Sequence, residues 1–154
     1  MIALIQRVRF ARLSIADNLH AEIQHGFLVL LGVSDLDEEK QAIWLASKVA
    51  GLRIFSDPDG KMNLDLAQVN GEIMVVSQFT LLADAAQGNR PSYIKAARPE
   101  KAIPLYECFI KAIETKLGRE VKTGIFGADM QIELCNDGPV TIWLDTDQIM
   151  KPGR

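Results

Sequence analysis

Two short segments carry most of the chemistry this sequence offers: Ser77-Gln78-Phe79-Thr80, which closes an apolar run, and Asn136-Asp137-Gly138-Pro139, set between two alternating stretches. The first places two hydroxyls, an amide side chain and backbone N–H groups at a strand end. Such groups either cap the strand or form a pocket mouth, where a hydroxyl positions a substrate and N–H donors hold an oxyanion. The second makes a tight turn between strands, and Pro139 adds a peptide bond that adopts cis at modest cost. It reads either as a hairpin loop alone or as a rigid ridge exposing carbonyls and almost no side chain. Such a ridge can refuse a substituent on one face of a chiral centre. A third segment, Gly124-Ile125-Phe126-Gly127-Ala128-Asp129-Met130, brings Phe126 and Met130 to a glycine-bearing loop, as core packing or as walls of an apolar pocket.

The usual hydrolase arrangements find little support. A Ser-His-Asp triad needs a histidine beside the serine, and the only histidines, His20 and His25, fall in an early hairpin region. No G-x-S-x-G surrounds Ser77 and no phosphate-binding G-x-x-x-x-G-K-[ST] is present. Cys108 and Cys135 form no C-x-x-C pair and read as packed or half-buried thiols. With so few His and Cys, neither a metal nor a cofactor is expected. An enzyme built this way acts on a substrate that is already reactive, by orienting it and stabilising developing charge.

The elements that must position these segments are mostly strands. Ile2 to Phe10 is extended, and Ser14 to Ile23 carries a turn at Asp17-Asn18 between short strands. Phe27 to Leu31 is apolar throughout, a strand buried on both faces. Asp35 and Glu38 have capping-box spacing before a helix whose Ala42, Leu45, Val49 and Leu52 form one stripe. A short strand at Arg53 to Phe55 leads into the turn Asp57-Pro58-Asp59-Gly60, and Glu72 to Thr80 is the next strand. Pro91 and Pro99 bracket a loop. A second helix from about Lys101 to Leu117 buries Leu105, Phe109, Ile113 and Leu117, joined by Ala102, Tyr106 and Ile110. Pro104 falls in its first turn and Gly118 caps its end. Strands at Met130 to Cys135 and Val140 to Asp145 finish the chain. The class is α+β: a compact antiparallel or mixed sheet, curling toward a barrel, with two packed helices.

At 154 residues the chain suits one domain over 1–154, with Lys151 to Arg154 as a frayed tail. No apolar run is long enough to span a bilayer and no signal peptide is visible, so a cytoplasmic protein is expected. The net charge of −3 argues against a protein that coats long stretches of nucleic acid. A local basic patch from Arg90 to Lys101, with Lys95 and Arg98, is either a solvated loop and helix entrance or a contact for one end of a nucleic acid.

Taken in order, Ser77-Gln78-Phe79-Thr80-Leu81, Gly88-Asn89-Arg90-Pro91-Ser92, Phe126-Gly127-Ala128-Asp129-Met130 and Asn136-Asp137-Gly138-Pro139-Val140-Thr141 resemble the segments of the D-aminoacyl-tRNA deacylase family. Gln6-Arg7-Val8, Arg53-Ile54-Phe55 and Lys61-Met62-Asn63 are similar to it as well, so the resemblance runs from Met1 to Thr146. It implies the compact deacylase fold, a homodimer, and hydrolysis of the ester of a D-aminoacyl-tRNA at the acceptor end, with glycyl-tRNA a further candidate. It implies a cis Gly138-Pro139 bond reaching into the partner's pocket to exclude L-amino acids, with Arg7 holding that ridge. Ser77, Gln78, Phe79 and Thr80 would line the site, with Phe126 and Met130 nearby, and amides near Gln78 and Phe79 would hold the oxyanion. Thr80 is a nucleophile or a positioning group; positioning is favoured because nothing in the sequence supplies a general base. The chain departs from the family at Arg12-Leu13 and over Leu82 to Gln87, which bears on tRNA contacts outside the pocket motifs. Two readings from other classes compete: a non-catalytic nucleic-acid-binding module, and a structural homodimer with a vestigial pocket.

Overall fold

Phe27 to Leu31 lies at the centre of the molecule because a strand apolar on both faces must be covered on both. In the computed structural model, which describes residues 1–150, it forms β3 (Gly26–Gly32). Phe27, Val29 and Leu31 face one core; Leu28 faces a second, with Leu30 packed against it. β1 (Ile2–Ile15) pairs antiparallel with β3 through residues 2–8 and with β2 (Asn18–Ile23) through residues 11–15. Its opposite edge carries β8 (Gln131–Asp145) along almost its whole length. β6 (Glu72–Ser77) runs parallel to β3, and β7 (Lys122–Thr123) parallel to β6, so the sheet is mixed. β2 comes against β6 and β7, which curls the sheet on itself. Val8, Leu13, Ile23, Leu28, Met74 and Val76 fill the inside of that curl.

The other face is covered by α1 (Glu39–Ala50) and α2 (Pro99–Leu117), which also pack on each other. The α2 stripe is Ala102, Tyr106, Phe109 and Ile113, with Leu105 and Leu117 at its margins. Each large apolar side chain buried here contributes roughly 1.5–3 kcal/mol of transfer free energy. Gly118 ends α2 at φ 67°, and its N–H donates to the Glu114 carbonyl at 2.8 Å. A small hairpin, β4 (Phe55–Ser56) with β5 (Met62–Leu64), and a terminal turn of helix, α3 (Thr146–Ile149), complete the described residues. No helix among them is long and apolar enough to cross a membrane. Cys108 and Cys135 are half-buried and unpaired.

Several boundaries differ from expectation for local reasons. β1 continues to Ile15, and the turn falls at Ala16 and Asp17, whose φ of 48° and 61° suit a two-residue hairpin. α1 starts at Glu39 rather than near Asp35. The Asp37 carboxylate is buried, accepting from the Met1 α-ammonium at 2.5 Å and the Ser34 N–H at 2.6 Å. The capping contact is therefore made one turn later, where the Gln41 side chain accepts from the Glu38 N–H at 3.1 Å. α2 starts at Pro99, which puts Pro104 in the second turn; the carbonyl it leaves without a partner, that of Glu100, belongs to an exposed residue. The last two expected strands are one strand, β8, interrupted by a bulge. The tail expected at Lys151 to Arg154 lies outside the described residues.

Candidate active site

β6 ends at Ser77, not at Thr80. The Gln78 N–H donates to the Leu31 carbonyl at 2.8 Å, the last rung of the β3–β6 pairing. That amide is consumed by the sheet and is not available to an oxyanion, which corrects the expectation for Gln78. The chain then tightens into a 3₁₀ turn over Phe79–Leu82, closed by Leu81 N–H to the Gln78 carbonyl at 3.3 Å. The turn packs directly on the end of β3 because residue 32 is glycine: a Cβ there would lie 2.6 Å from Leu82 Cδ2 and 3.0 Å from the Gln78 carbonyl oxygen. Phe79 and Thr80 precede the first internal bond of the turn, and their N–H groups have no acceptor among the described residues. The Gln78 side-chain amide donates to Thr80 Oγ1.

The opposite wall comes from the turn Ile125–Ala128, closed by the Ala128 N–H on the Ile125 carbonyl at 3.1 Å. This turn carries Phe126 against Tyr106 of α2, edge to face with centroids 6.0 Å apart. Tyr106 is buried and its hydroxyl donates to the Val75 carbonyl at 2.9 Å. Burial pushes its phenol up to about 12, so it stays neutral at ordinary pH. Ser77, Gln78, Phe79, Phe126 and Met130, all expected at the site, line one cavity of about 210 Å³ together with Tyr106. Leu31 and Val33 form its apolar base. Thr80 stands on the turn beside the cavity, exposed and outside its lining. Sequence reasoning missed Tyr106 as a wall: its periodicity marks the inner face of α2 but not which inner residue meets a void.

Arg7, Gly138 and Pro139 are brought together elsewhere. The register of β1 against β8 passes from Gln6–Thr141 to Val8–Asn136, so Asp137 to Val140 stand opposite Arg7 alone. This is a bulge on a continuing strand, not the hairpin turn that Asn-Asp-Gly-Pro suggests. Proline has no N–H for the ladder, so the strand expels it. The Gly138-Pro139 bond is cis, as the resemblance implies. Gly138 has φ 119°, and a Cβ on it would lie 3.0 Å from Arg7 Nη2. Arg7, largely buried, donates from Nε to the Asp137 carbonyl at 3.2 Å and from Nη1 to the Ile54 carbonyl at 2.7 Å. The Asn136 side-chain amide donates to the carbonyls of Arg7 and Val140, both at 3.0 Å, and staples the base of the bulge. Gly138 and Pro139 themselves are exposed, and neither lines the cavity of its own chain.

Comparison with known proteins agrees across nearly the whole chain. The family model described as D-Tyr-tRNA(Tyr) deacylase matches residues 4–145. A D-aminoacyl-tRNA deacylase of Cytophaga hutchinsonii is 62% identical over 146 residues, covering 95% of this chain and 97% of that protein. One from Porphyromonas gingivalis is 55% identical with the same coverage. Among solved structures, one described as c-Myc DNA Unwinding Element Binding Protein superposes with a TM-score of 0.88 at 36% identity, covering 94% of this chain and 98% of that one. A probable eukaryotic D-amino acid tRNA deacylase shares the fold, with a TM-score of 0.80 at 16% identity over 93% of this chain and 97% of that one.

Proposed function

The chain belongs to the D-Tyr-tRNA(Tyr) deacylase family, and from that premise we propose that it hydrolyses the ester of D-aminoacyl-tRNA to free tRNA and a D-amino acid, in the cytoplasm. The observation that carries the reading is the single cavity that joins Ser77, Gln78 and Phe79 to Phe126 and Met130 beside two unpartnered amides. Water adds to the ester carbonyl, and the negative charge that forms on its oxygen is held by the N–H groups of Phe79 and Thr80. Collapse of the intermediate breaks the bond to the ribose oxygen, which leaves with a proton. Losing one such donor typically costs on the order of 100- to 1,000-fold in rate. Thr80 Oγ1 already accepts from the Gln78 amide, which supports a positioning role. No histidine lines the cavity, and the ribose hydroxyl next to the ester is the group that activates water in this reading.

The chiral filter is the Gly138-Pro139 ridge. It is exposed and absent from its own chain's cavity, and the outer edge of β8 has no strand partner among the described residues. Both facts support a homodimer in which each ridge enters the other subunit's cavity and its carbonyls collide with an L side chain.

The test is incubation of the purified protein with D-tyrosyl-tRNA and L-tyrosyl-tRNA, with sedimentation at assay concentration. Rapid release from the D form alone, by a dimer, is expected. Equal release from both hands overturns the filter, and a fully active monomer overturns the shared site. A second reading, a nucleic-acid-binding module, is favoured by the description of the 36%-identical relative as a DNA element binding protein. The net charge of −3 weighs against it, and it predicts no release from either substrate.

A further inference from the structure

Arg7 grips the ridge with one edge of its guanidinium and is itself gripped by another. Nε donates to the Asp137 carbonyl at 3.2 Å, whereas Nη1 donates to the Ile54 carbonyl at 2.7 Å, on a different part of the chain. The direction of the guanidinium therefore depends on where the Ile54 carbonyl points. Ile54 is buried and leads directly into the β4–β5 hairpin. On one side of it Phe55 is buried, its ring stacked on Phe27 of β3 with centroids 5.1 Å apart and planes 15° apart. On the other side Arg53 donates from Nε to the Asn63 carbonyl at 2.9 Å and from Nη2 to Asn63 Oδ1.

Asn63 is not an ordinary rung of the hairpin. The pairing passes from Phe55–Leu64 to Ser56–Met62, so Asn63 stands between the two as the extra residue of a bulge. A bulge bends its strand and re-aims what lies beside it. The Arg53 fork takes both oxygens of that extra residue. Its donors are coplanar and fixed in spacing, which a lysine cannot copy. Arg53 and Asn63 are both exposed, and neither lines the cavity that holds Ser77, Phe79 and Phe126.

Resting on the deacylase reading and its ridge filter, we infer that Arg53 and Asn63 are positioning residues for the rejection of L-aminoacyl esters. The clamp sets the Ile54 carbonyl, that carbonyl sets the Arg7 guanidinium, and the guanidinium sets Gly138-Pro139. Loosening the clamp lets the ridge give way under an L side chain, while the cavity and the amides beside it stay as they are. The signature is a gain: the L ester is hydrolysed faster. A hairpin that merely lost stability would instead slow both hands together.

The experiment measures single-turnover hydrolysis of D-tyrosyl-tRNA and L-tyrosyl-tRNA by the wild type, Arg53→Ala, Arg53→Lys, Asn63→Ala and Asn63→Asp, each with a urea melt. Arg53→Ala should raise release from the L form relative to the D form by about tenfold, inside the ~100-fold that a misplacement of 1 Å costs. Arg53→Lys and Asn63→Ala should move the ratio the same way by less. Asn63→Asp keeps an oxygen for the fork and should restore the wild-type ratio. If Arg53→Ala melts early, Asn63→Ala, which removes only an exposed side-chain amide, carries the same test. An unchanged ratio overturns the positioning role, as does an equal fall in both rates. A wild type that releases both hands alike overturns the ridge filter itself, so failure of that reading is distinguishable from failure of the clamp.

Discussion

The cavity is enclosed by side chains from β3, α2, the turn after β6 and the loop before β8, whereas the ridge stands on one strand and presents main chain. The cavity is finished by the folding of a single chain: the turn on its rim is fixed by a sheet rung, and its aromatic wall is set by a helix. The ridge is equally fixed, by Arg7 and Asn136, yet within its own chain it faces nothing. Its bonds satisfy the main chain that Pro139 forces out of the ladder and leave a fixed, side-chain-poor projection exposed. In the proposed reading the contrast separates binding and charge stabilisation, which need enclosure, from exclusion, which needs only a wall in the right place.

The sharpest way to break the comparison is Arg7→Ala. It removes the guanidinium under Gly138 and leaves the Ile54 carbonyl unpaired, for about 1–3 kcal/mol of stability by urea melt. Activity on D-aminoacyl-tRNA should fall about 100-fold, the usual cost of a misplacement near 1 Å. An unchanged rate and D/L ratio would make the ridge a bystander. Next in size, Thr80→Val removes a hydroxyl bonded by Gln78 and should lower kcat/KM by under about tenfold, equivalent to a hydrogen bond of about 1 kcal/mol. A loss beyond ~1,000-fold in single-turnover assays would make Thr80 the nucleophile. The smallest effect concerns the cavity wall alone. The folded state holds the Tyr106 proton up to about pH 12, whereas the unfolded chain releases it near 10. Stability should therefore fall as pH rises through that window. Tyr106→Phe should lower stability near neutrality by about 1 kcal/mol and flatten the alkaline fall in a denaturant titration.

Much of this was legible in the sequence where one residue's neighbours decide its fate. Phe27 to Leu31 announces a doubly buried strand, and the α2 stripe fixes which side faces inward. The clustering of Ser77, Gln78 and Phe79 with Phe126 and Met130 followed from motifs, not from spacing. What the residues alone concealed depends on distant partners. Asn-Asp-Gly-Pro signals a turn, but only β1, some 130 positions earlier, turns it into a bulge. The free amides could not be assigned before knowing that Leu31 takes the Gln78 N–H. The start of α1 hinged on Asp37 being drawn to the Met1 ammonium.

That single rung between Gln78 and Leu31 ties the lifetime of the site to the lifetime of the central sheet. The turn bearing the two unpartnered amides is held against β3 by that rung and by its packing on Gly32, and loses both once β3 and β6 part. On heating, loss of activity and loss of the fold should arrive as one event rather than two.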